Sequence, residues 1–301
     1  MDTGKSLKLK VHPVETGVTL IEFLSRRLGI SRNKAKTIID QRRVFVNGKR
    51  VWMARHNLKE GDQVTGSFNI EKTVKISRGI IIYEDDNYLV VNKPAGISSN
   101  GSNSFEQLLN RQSVNESAAA CHAPRMACHA PRVACHRLDK DTTGCLIFAK
   151  SAEAKKRIIA LFAGNKVKKK YESVVRGCLK KNTMTITTPI DGQKAITRIR
   201  LKKASKPACH SSGVASHLSI TIETGRTHQI RKHLASIGHP VLGDQHYGVG
   251  RETPQSERLI GRQMLHAAEI EFTNPFSDLP VHVKAPMPAD LKSCLRQYRL
   301  N

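Results

Sequence analysis

The stretch HRLDKDTTGCLIFAK, residues 136–150, joins a polar cluster to an uninterrupted apolar run. Residues 145–149 are predicted to form a buried strand, because every side chain in that run is apolar. A helix is predicted to follow, since Ser151 can cap its first turn and Gly164 can end it. The polar cluster 136–144 is therefore predicted to be a loop fixed beside a rigid strand and helix, a common setting for catalytic residues.

Other segments extend this alternation of strands and helices along the chain. YESVVRG, residues 171–177, is predicted to be a strand, and LSITI, residues 218–222, alternates like a half-buried strand. An apolar stripe within 230–237 predicts a helix. Residues 80–91 are predicted to form two strands around a turn, whereas the polar segment 98–115 is predicted to be a loop.

The chain is predicted to divide into four regions. Residues 1–17 are assigned to a basic N-terminal extension, 18–66 to a small domain, 67–78 to a linker and 79–301 to a large domain. In the small domain, two apolar stripes at helical spacing precede VFVNGKRV, residues 44–51. That segment predicts a β-hairpin, because Asn-Gly favours a tight turn.

The composition favours a nucleic acid as the partner. The 301 residues include 50 Lys and Arg against 25 Asp and Glu, a formal net charge of +25. Such an excess favours a polyanion, and with aromatic residues at only 5% there is no lipid-seeking aromatic face. No apolar run approaches the roughly 20 residues of a membrane-spanning helix. The first ten residues also lack the apolar core of a secretion signal, so we expect a folded cytoplasmic protein that binds no membrane.

The small domain carries a dense run of cations. Between Arg26 and Arg43 the only acid is Asp40, whereas a solvated helix face normally mixes both signs. A solvated face is the alternative, but this excess favours phosphate binding. The cations predicted to bind RNA are Arg26, Arg27, Arg32, Lys34, Lys36, Arg42 and Arg43.

Three of the seven cysteines lie in a repeat, ACHAPRM, ACHAPRV and then ACHRLDK. Cys121, Cys128 and Cys135 could be metal ligands, but zinc sites usually pair ligands two to four residues apart, and six residues separate these cysteines. The repeat is therefore interpreted as a tandem duplication in a tolerant loop, and no metal site is predicted.

Two resemblances rest on these residues. TLIEFLSRRLGISRNKAKTIIDQRRVFVNGKRV, residues 19–51, resembles the small RNA-binding domain first known from a ribosomal small-subunit protein, the S-four type. HRLDKDTTGCLIFAK, YESVVRG and GRTHQIRKHLASIGHPVLGDQHYG (225–248) resemble, in that order, the motifs of the RluA-type pseudouridine synthases. MLHA (264–267) and VKAPMP (283–288) support this second resemblance, which spans roughly 79–301.

The resemblance implies a fold and a reaction. The fold is α+β, with a mixed, mostly antiparallel central sheet, flanking helices and a catalytic cleft, beside the helix-helix-hairpin RNA-binding domain. The reaction converts uridine to pseudouridine in RNA and requires no cofactor; the chain has no GxGxxG or P-loop motif. Large-subunit ribosomal RNA is the expected substrate of a monomeric enzyme. The alternatives are the same reaction on transfer RNA, or a non-catalytic RNA-binding ribosome-assembly factor.

The resemblance also implies roles for individual residues. Asp139 matches the catalytic aspartate, acting as a nucleophile or by assisting departure of the base, and Arg231 matches the arginine that pairs with it. Tyr171 matches the tyrosine that packs on the target base and helps to move the final proton. Arg137 matches the residue that enters the stack where the flipped uridine leaves. Asp141 is the local competitor of Asp139 but falls on a variable position of the pattern.

The remaining basic residues of these motifs are assigned to RNA binding or to structure. Arg226 and His228 are predicted to contact RNA. His136 and His228 are interpreted as structural or phosphate-facing rather than as acid–base catalysts.

Overall fold

A computed structural model describes most of the chain. The described residues are 6–28, 32–42, 44–67, 78–101, 103–111, 131–205, 213–248, 253, 257 and 259–300. The chain divides into two compact units, residues 1–75 and 76–301. This division falls within the predicted linker 67–78, of which 68–77 lie outside the described residues. Across the described ranges, no helix combines the length and the apolar composition needed to cross a membrane.

The smaller unit combines two helices with an antiparallel sheet. Its elements are β1 (Ser6–Lys10), α1 (Leu20–Leu28), α2 (Arg32–Asp40), β2 (Val44–Val46), β3 (Lys49–Arg50) and β4 (Gln63–Ser67). The strand order is β1-β4-β2-β3. Both helices bury one apolar face against the sheet, as the two stripes predict: Leu20, Phe23 and Leu24 from α1 share a core with Ala35 and Ile39 from α2.

The predicted hairpin is confirmed. Asn47 and Gly48 connect β2 to β3, and both have positive φ angles, 49° and 76°. A two-residue turn of this kind requires positive φ at both central positions, which Asn and Gly adopt at little cost.

The assignment of residues 1–17 to an extension outside the small domain is wrong from Ser6 onward. Ser6–Lys10 forms the edge strand β1, which pairs with β4 in continuous register from Ser6 opposite Ser67 to Lys10 opposite Gln63. Val11, which follows, is 1% exposed and belongs to the core of this unit. Leu7, Leu9 and Val11 alternate with lysines, which is a local signal for a strand, but the partner strand is distant in the sequence.

The larger unit is built on one sheet flanked by helices. Its strands are β5 (Ile81–Glu84), β6 (Tyr88–Lys93), β7 (Val133–Ala134), β8 (Thr143–Ala149), β9 (Lys168–Arg176), β10 (Thr183–Ile186), β11 (Thr197–Ala204), β12 (Ala215–Ile222), β13 (Leu265–Thr273) and β14 (Pro280–Lys284). Its described helices are α3 (105–111), α4 (Ala152–Ala163), α5 (Gln229–Ser236) and α6 (Ala289–Gln297).

The strand order confirms a mixed, mostly antiparallel sheet. The main path is β10-β11-β12-β9-β13-β8-β6-β5, with β14 added to β13 and β7 to β8. Among the described strands, only the short β13–β8 pairing is parallel. Gly144 allows this approach, because a Cβ there would lie 2.1 Å from the carbonyl oxygen of Ala267.

β8 is buried along its whole length, as its apolar run predicts. Leu146 and Phe148 belong to one apolar cluster, and Cys145 and Ile147 to another, so the strand is covered on both faces. The helix after it begins as predicted, with the Ser151 hydroxyl accepting a hydrogen bond from the Ala154 amide at 3.0 Å.

The prediction of a loop over 98–115 is wrong for 105–111, which are helical. Phe105 and Leu109 are buried, one turn apart on the same face of this short helix. The apolar stripe is only two turns long, so the polar residues around it obscured the helical spacing. Residues 112–115 lie outside the described part of the chain.

Candidate active site

Residues 138–143, which we call the Asp139 loop, end at the first residue of β8. The Ser99 hydroxyl accepts a hydrogen bond from the Leu138 amide at 2.9 Å and donates one to the Leu138 carbonyl oxygen at 3.0 Å. Further along, the ammonium of Lys93 donates to the carbonyl oxygen of Lys140 at 3.0 Å. Lys93 is fully buried, and desolvation lowers its pKa to about 7.

The second half of the loop is held by the segment that leads into β13. Arg262 donates to the Asp141 carbonyl oxygen at 3.1 Å, Gln263 donates to the Thr142 hydroxyl at 3.1 Å, and His266 lies 2.8 Å from the Thr143 hydroxyl. His266 Nε2 faces the Ala285 carbonyl oxygen at 3.3 Å, which assigns the hydrogen to Nε2. Nδ1 therefore accepts from Thr143, and the loop is fixed at both ends.

Asp139 and Arg231 are paired. Arg231 Nη1 lies 3.0 Å from Asp139 Oδ2, and the arginine is only 3% exposed. Its other edge is bound by Asp244, with Nε to Oδ2 at 2.6 Å and Nη2 to Oδ1 at 2.8 Å. This two-pronged contact fixes the plane of the guanidinium, so Nη1 points at Asp139.

Asp244 was not singled out from the sequence. Burial alone would raise its pKa, but hydrogen bonds from Arg231 and from the backbone amides of His246 and Tyr247 lower it below its usual value. Burial likewise opposes the charge of Arg231, while its bonds to Asp244 and Asp139 raise its pKa. The sequence does contain a signal for Asp244, because it is the only acid in the motif 225–248 and is therefore the only carboxylate within that motif that could pair with Arg231.

Tyr171 lies on β9 and is 7% exposed. Burial raises the pKa of its phenol, and the charge of Asp139 adds to this effect. The phenol is therefore neutral at physiological pH.

His228 stands next to Asp139 at the start of α5. Its backbone is in the left-handed region, with φ at 55°, and its Nδ1 lies 3.0 Å from the Tyr247 hydroxyl. Its Nε2 is 3.9 Å from Asp139 Oδ1. Desolvation lowers the pKa of His228 although the charge of Asp139 opposes this shift, which favours a neutral ring.

The six residues that the sequence assigns to the large domain's site line one cavity of about 510 Å³. They are Arg137, Asp139, Tyr171, Arg226, His228 and Arg231. Arg137 and Arg226 are exposed at this cavity, whereas Leu138 between Arg137 and Asp139 is buried in the core. Alternation along the loop therefore presents Arg137 and Asp139 to the same opening.

His136 has a structural role in this arrangement. Its Nε2 accepts a hydrogen bond from the Ile147 amide at 3.1 Å, and its ring packs against Phe162 at 5.2 Å. Desolvation lowers its pKa to about 3. The ring is therefore neutral and positions the chain beside β8.

The cations between Arg26 and Arg43, which we call the basic face of the small domain, are partly neutralised by acids. Arg27 pairs with Glu15 at 3.0 Å, and Arg32 pairs with Glu22. Glu15 and Glu22 lie before Arg26 in the sequence. Counting acids only between Arg26 and Arg43 therefore overstates the unpaired positive charge. Of the seven cations predicted to bind RNA, Arg26, Lys36 and Arg42 are exposed and have no ion pair to any described residue. Arg43 and the side chain of Lys34 lie outside the described part of the structure.

Metal binding finds little support in the described residues. Cys121 and Cys128 lie outside them, and burial raises the pKa of the Cys135 thiol to about 12, which disfavours a thiolate. Glu269, Glu271 and His282 have spacing suited to a metal. The two carboxylates are, however, already paired with lysines from β9.

The sheet, the Asp139–Arg231–Asp244 contacts and the small basic domain agree with the comparisons with known proteins. A family model described as RNA pseudouridylate synthase matches residues 87–236, and a model described as S4 domain matches residues 19–64. The chain belongs to the RNA pseudouridine synthase family and carries an S4 domain before its catalytic unit.

Individual relatives agree with this membership. The chain is 30% identical to a Bacillus subtilis (strain 168) protein named uncharacterized RNA pseudouridine synthase YhcT, over 98% of each chain. It is 33% identical to ribosomal large subunit pseudouridine synthase D of Pasteurella multocida (strain Pm70), over 86% of this chain and 84% of that one. The fold matches human RNA pseudouridylate synthase domain containing 4, with a TM-score of 0.58 and 21% identity over 73% of this chain and 92% of that one.

Proposed function

We propose that this protein isomerises uridine in ribosomal RNA and that Asp139 is its catalytic carboxylate. The observation that carries the proposal is the fixed Asp139–Arg231 pair in a cavity that Tyr171 also lines. Arg231 occupies Oδ2, whereas Oδ1 accepts no hydrogen bond from any described residue. Oδ1 is therefore the oxygen available to the substrate.

The reaction needs a negative group at this position. The bond between N1 of uracil and the ribose breaks, the base rotates, and C5 bonds to the same ribose carbon. C5 then loses its proton and N1 takes one up, so that the product is an isomer of the substrate. The Asp139 carboxylate can attack the base or the sugar as a nucleophile, or stabilise positive charge on the sugar as the base departs. In each version the hydrogen bond from Arg231 orients the Asp139 carboxylate.

Tyr171 and Arg137 are assigned to the base and to the space it leaves. The raised pKa of Tyr171 favours a neutral ring that packs on uracil over a phenolate that removes the final proton. Arg137 is exposed at the mouth of the cavity, where it can fill the gap left by a flipped uridine. Arg226 and His228, on the same cavity wall, are proposed to contact the RNA backbone.

Large-subunit ribosomal RNA is the proposed substrate. The support is similarity to proteins named ribosomal large subunit pseudouridine synthase D, together with the S4 domain and the charge of +25. We also propose a monomeric enzyme, because one chain supplies the residues that line the proposed site. A ribosomal RNA substrate fits a cytoplasmic enzyme that binds no membrane.

The test is to map pseudouridine in all stable RNAs from cells with and without the gene. The expected result is loss of specific pseudouridines from large-subunit RNA, restored by the wild-type gene. Loss from transfer RNA alone would reassign the substrate. An unchanged map, with altered ribosome assembly, would favour the non-catalytic alternative.

A further inference from the structure

Trp52 is the chain's one tryptophan, and it lies in the segment VWMA, residues 51–54. Val51 and Ala54 pack against the core of the small domain. Trp52 and Met53, the larger apolar residues, are instead each 60% exposed. Folding favours burial of the larger apolar side chains, so the exposure of Trp52 and Met53 is not explained by packing.

The backbone on both sides of Trp52 is fixed. The Val51 amide donates to the Val44 carbonyl oxygen at 3.0 Å, and the Ala54 carbonyl oxygen accepts from the Ile21 amide of α1 at 3.0 Å. A further turn is closed by the His56 amide and the Met53 carbonyl oxygen at 3.0 Å. The indole is thus presented from an ordered loop, which reduces the entropy lost when a ligand binds.

Cations flank this exposed apolar pair in the sequence. Residues 41–59 contain no Asp or Glu, and Lys49, Arg50 and Arg55 are all exposed. The guanidinium of Arg50 lies 5.4 Å from the ring of Phe45, which supports its side chain on the surface of the hairpin. An exposed aromatic ring among cations, with no acid nearby in the sequence, fits a ligand that combines flat apolar faces with negative charges.

We propose that Trp52 is a stacking site for an unpaired base of the substrate RNA, with Arg50 and Arg55 neutralising the adjacent phosphates. Bases within a helix are already stacked, so only a single-stranded segment can offer a free face to the indole. The inference deepens the proposed function and rests on it. It gives the small domain a contact that distinguishes single-stranded from paired RNA, which charge alone does not provide.

The first measurement uses the full-length protein and the fluorescence of its single tryptophan. The probes are a short single-stranded RNA and a blunt duplex of the same sequence. Saturable quenching by the single strand, and little quenching by the duplex at concentrations where it is bound, is the expected result. Equal quenching by both probes would overturn the proposal, as would a concentration-dependent change in emission without RNA, which would assign the surface to a second copy of the chain.

The second measurement compares variants in binding to the single strand. Trp52→Ala should weaken binding about 5- to 150-fold, the range for loss of one stacked base, while Trp52→Phe should keep most of the affinity. Leu279→Ala, at a residue 64% exposed in the larger unit, is the matched control and should bind like the wild type. Wild-type affinity in Trp52→Ala would overturn the proposal.

Salt dependence separates stacking from charge. Trp52→Ala should leave the slope of log affinity against log salt unchanged, whereas Arg50→Gln should reduce it by about 0.7. Pseudouridine formation by the same wild-type preparation keeps the two proposals distinguishable. An active enzyme whose Trp52→Ala variant binds normally refutes the stacking site alone, whereas an inactive wild type refutes the proposed function.

Discussion

The Asp139 loop and the basic face of the small domain hold their charged residues in opposite ways. The loop is bonded to Ser99, Lys93 and Arg262, and its aspartate meets a buried arginine that is itself fixed. Arg26 and Lys36, in contrast, project into solvent from the small domain. Bond exchange requires one geometry, whereas attraction of phosphates requires charge near a surface, so fixing the first set and exposing the second suits each task.

The largest expected effect is loss of the charge at Asp139. Asp139→Asn keeps the size of the side chain but removes the anion, so pseudouridine formation should be abolished while RNA still binds. Asp141→Asn should retain substantial activity, because the described contact of Asp141 with Arg262 is made by its backbone carbonyl. Single-turnover assays at saturating enzyme separate chemistry from binding. An active Asp139→Asn, or an inactive Asp141→Asn, would move the catalytic role away from Asp139.

The next effect tests whether the fixed geometry itself matters. Asp244→Asn breaks the two-pronged contact that orients Arg231, so we expect single-turnover rates to fall about 10²-fold and stability to fall by about 3 kcal/mol. Asp191→Asn is the matched control, since it removes the exposed partner of the neighbouring Lys232 and should change stability by less than about 1 kcal/mol. Equal effects of the two variants would show that the Asp244 contact does not position Arg231.

The elements that could be predicted are those whose signals are local. The Asn47-Gly48 turn, the apolar run of β8 and the Ser151 cap each encode their structure within a few residues. β1 carries a local signal, the alternation of Leu7, Leu9 and Val11 with lysines, but its pairing could not be assigned because the partner strand begins at Gln63, far along the chain. The short helix 105–111 was missed because two turns give too little periodicity.

The candidate active site likewise contains features that could be predicted from local sequence and features that could not. Asp139, Arg231 and Tyr171 could be named because they match motifs, and the structure brings them to one cavity. The bond between Asp244 and Arg231, and the contact of Lys93 with the Asp139 loop, depend on tertiary packing that no spacing rule encodes. The ion pairs of Arg27 with Glu15 and of Arg32 with Glu22 also depend on tertiary packing, so the sequence did not predict them.

A smaller effect concerns stability and pH. The folded pKa of His136 is lowered to about 3, so between pH 6.5 and 3 the unfolded chain binds a proton that the folded chain does not. Stability therefore falls as pH falls through this window. His136→Gln can still accept the Ile147 hydrogen bond and does not titrate. Urea unfolding at pH 6.5 and pH 4.5 should show the stability of the wild type relative to the variant falling by about 2 kcal/mol on acidification. A difference independent of pH would contradict the assignment of a neutral, desolvated ring.

The smallest effect compares two arginines within the basic face. Arg42 has no ion pair among the described residues, whereas Arg27 is bound to Glu15 and to the Lys10 carbonyl oxygen. Arg42→Gln should lower affinity for the substrate RNA a few-fold and reduce the slope of log affinity against log salt by about 0.7–0.9, the value of one phosphate contact. Arg27→Gln should change the slope less, because the charge it removes is already balanced by a carboxylate.

The comparison is informative because the two variants have the same change in formal charge. If net charge alone drew RNA to the small domain, both slopes would fall equally, and the partial neutralisation by Glu15 would have no consequence for binding. If pairing decides which cations reach phosphate, only Arg42→Gln changes the number of counterions released. Titrations at several salt concentrations, with RNA and protein otherwise unchanged, distinguish these outcomes. Equal slopes for Arg42→Gln and the wild type would instead place the phosphate contacts on other cations, such as Arg26 and Lys36.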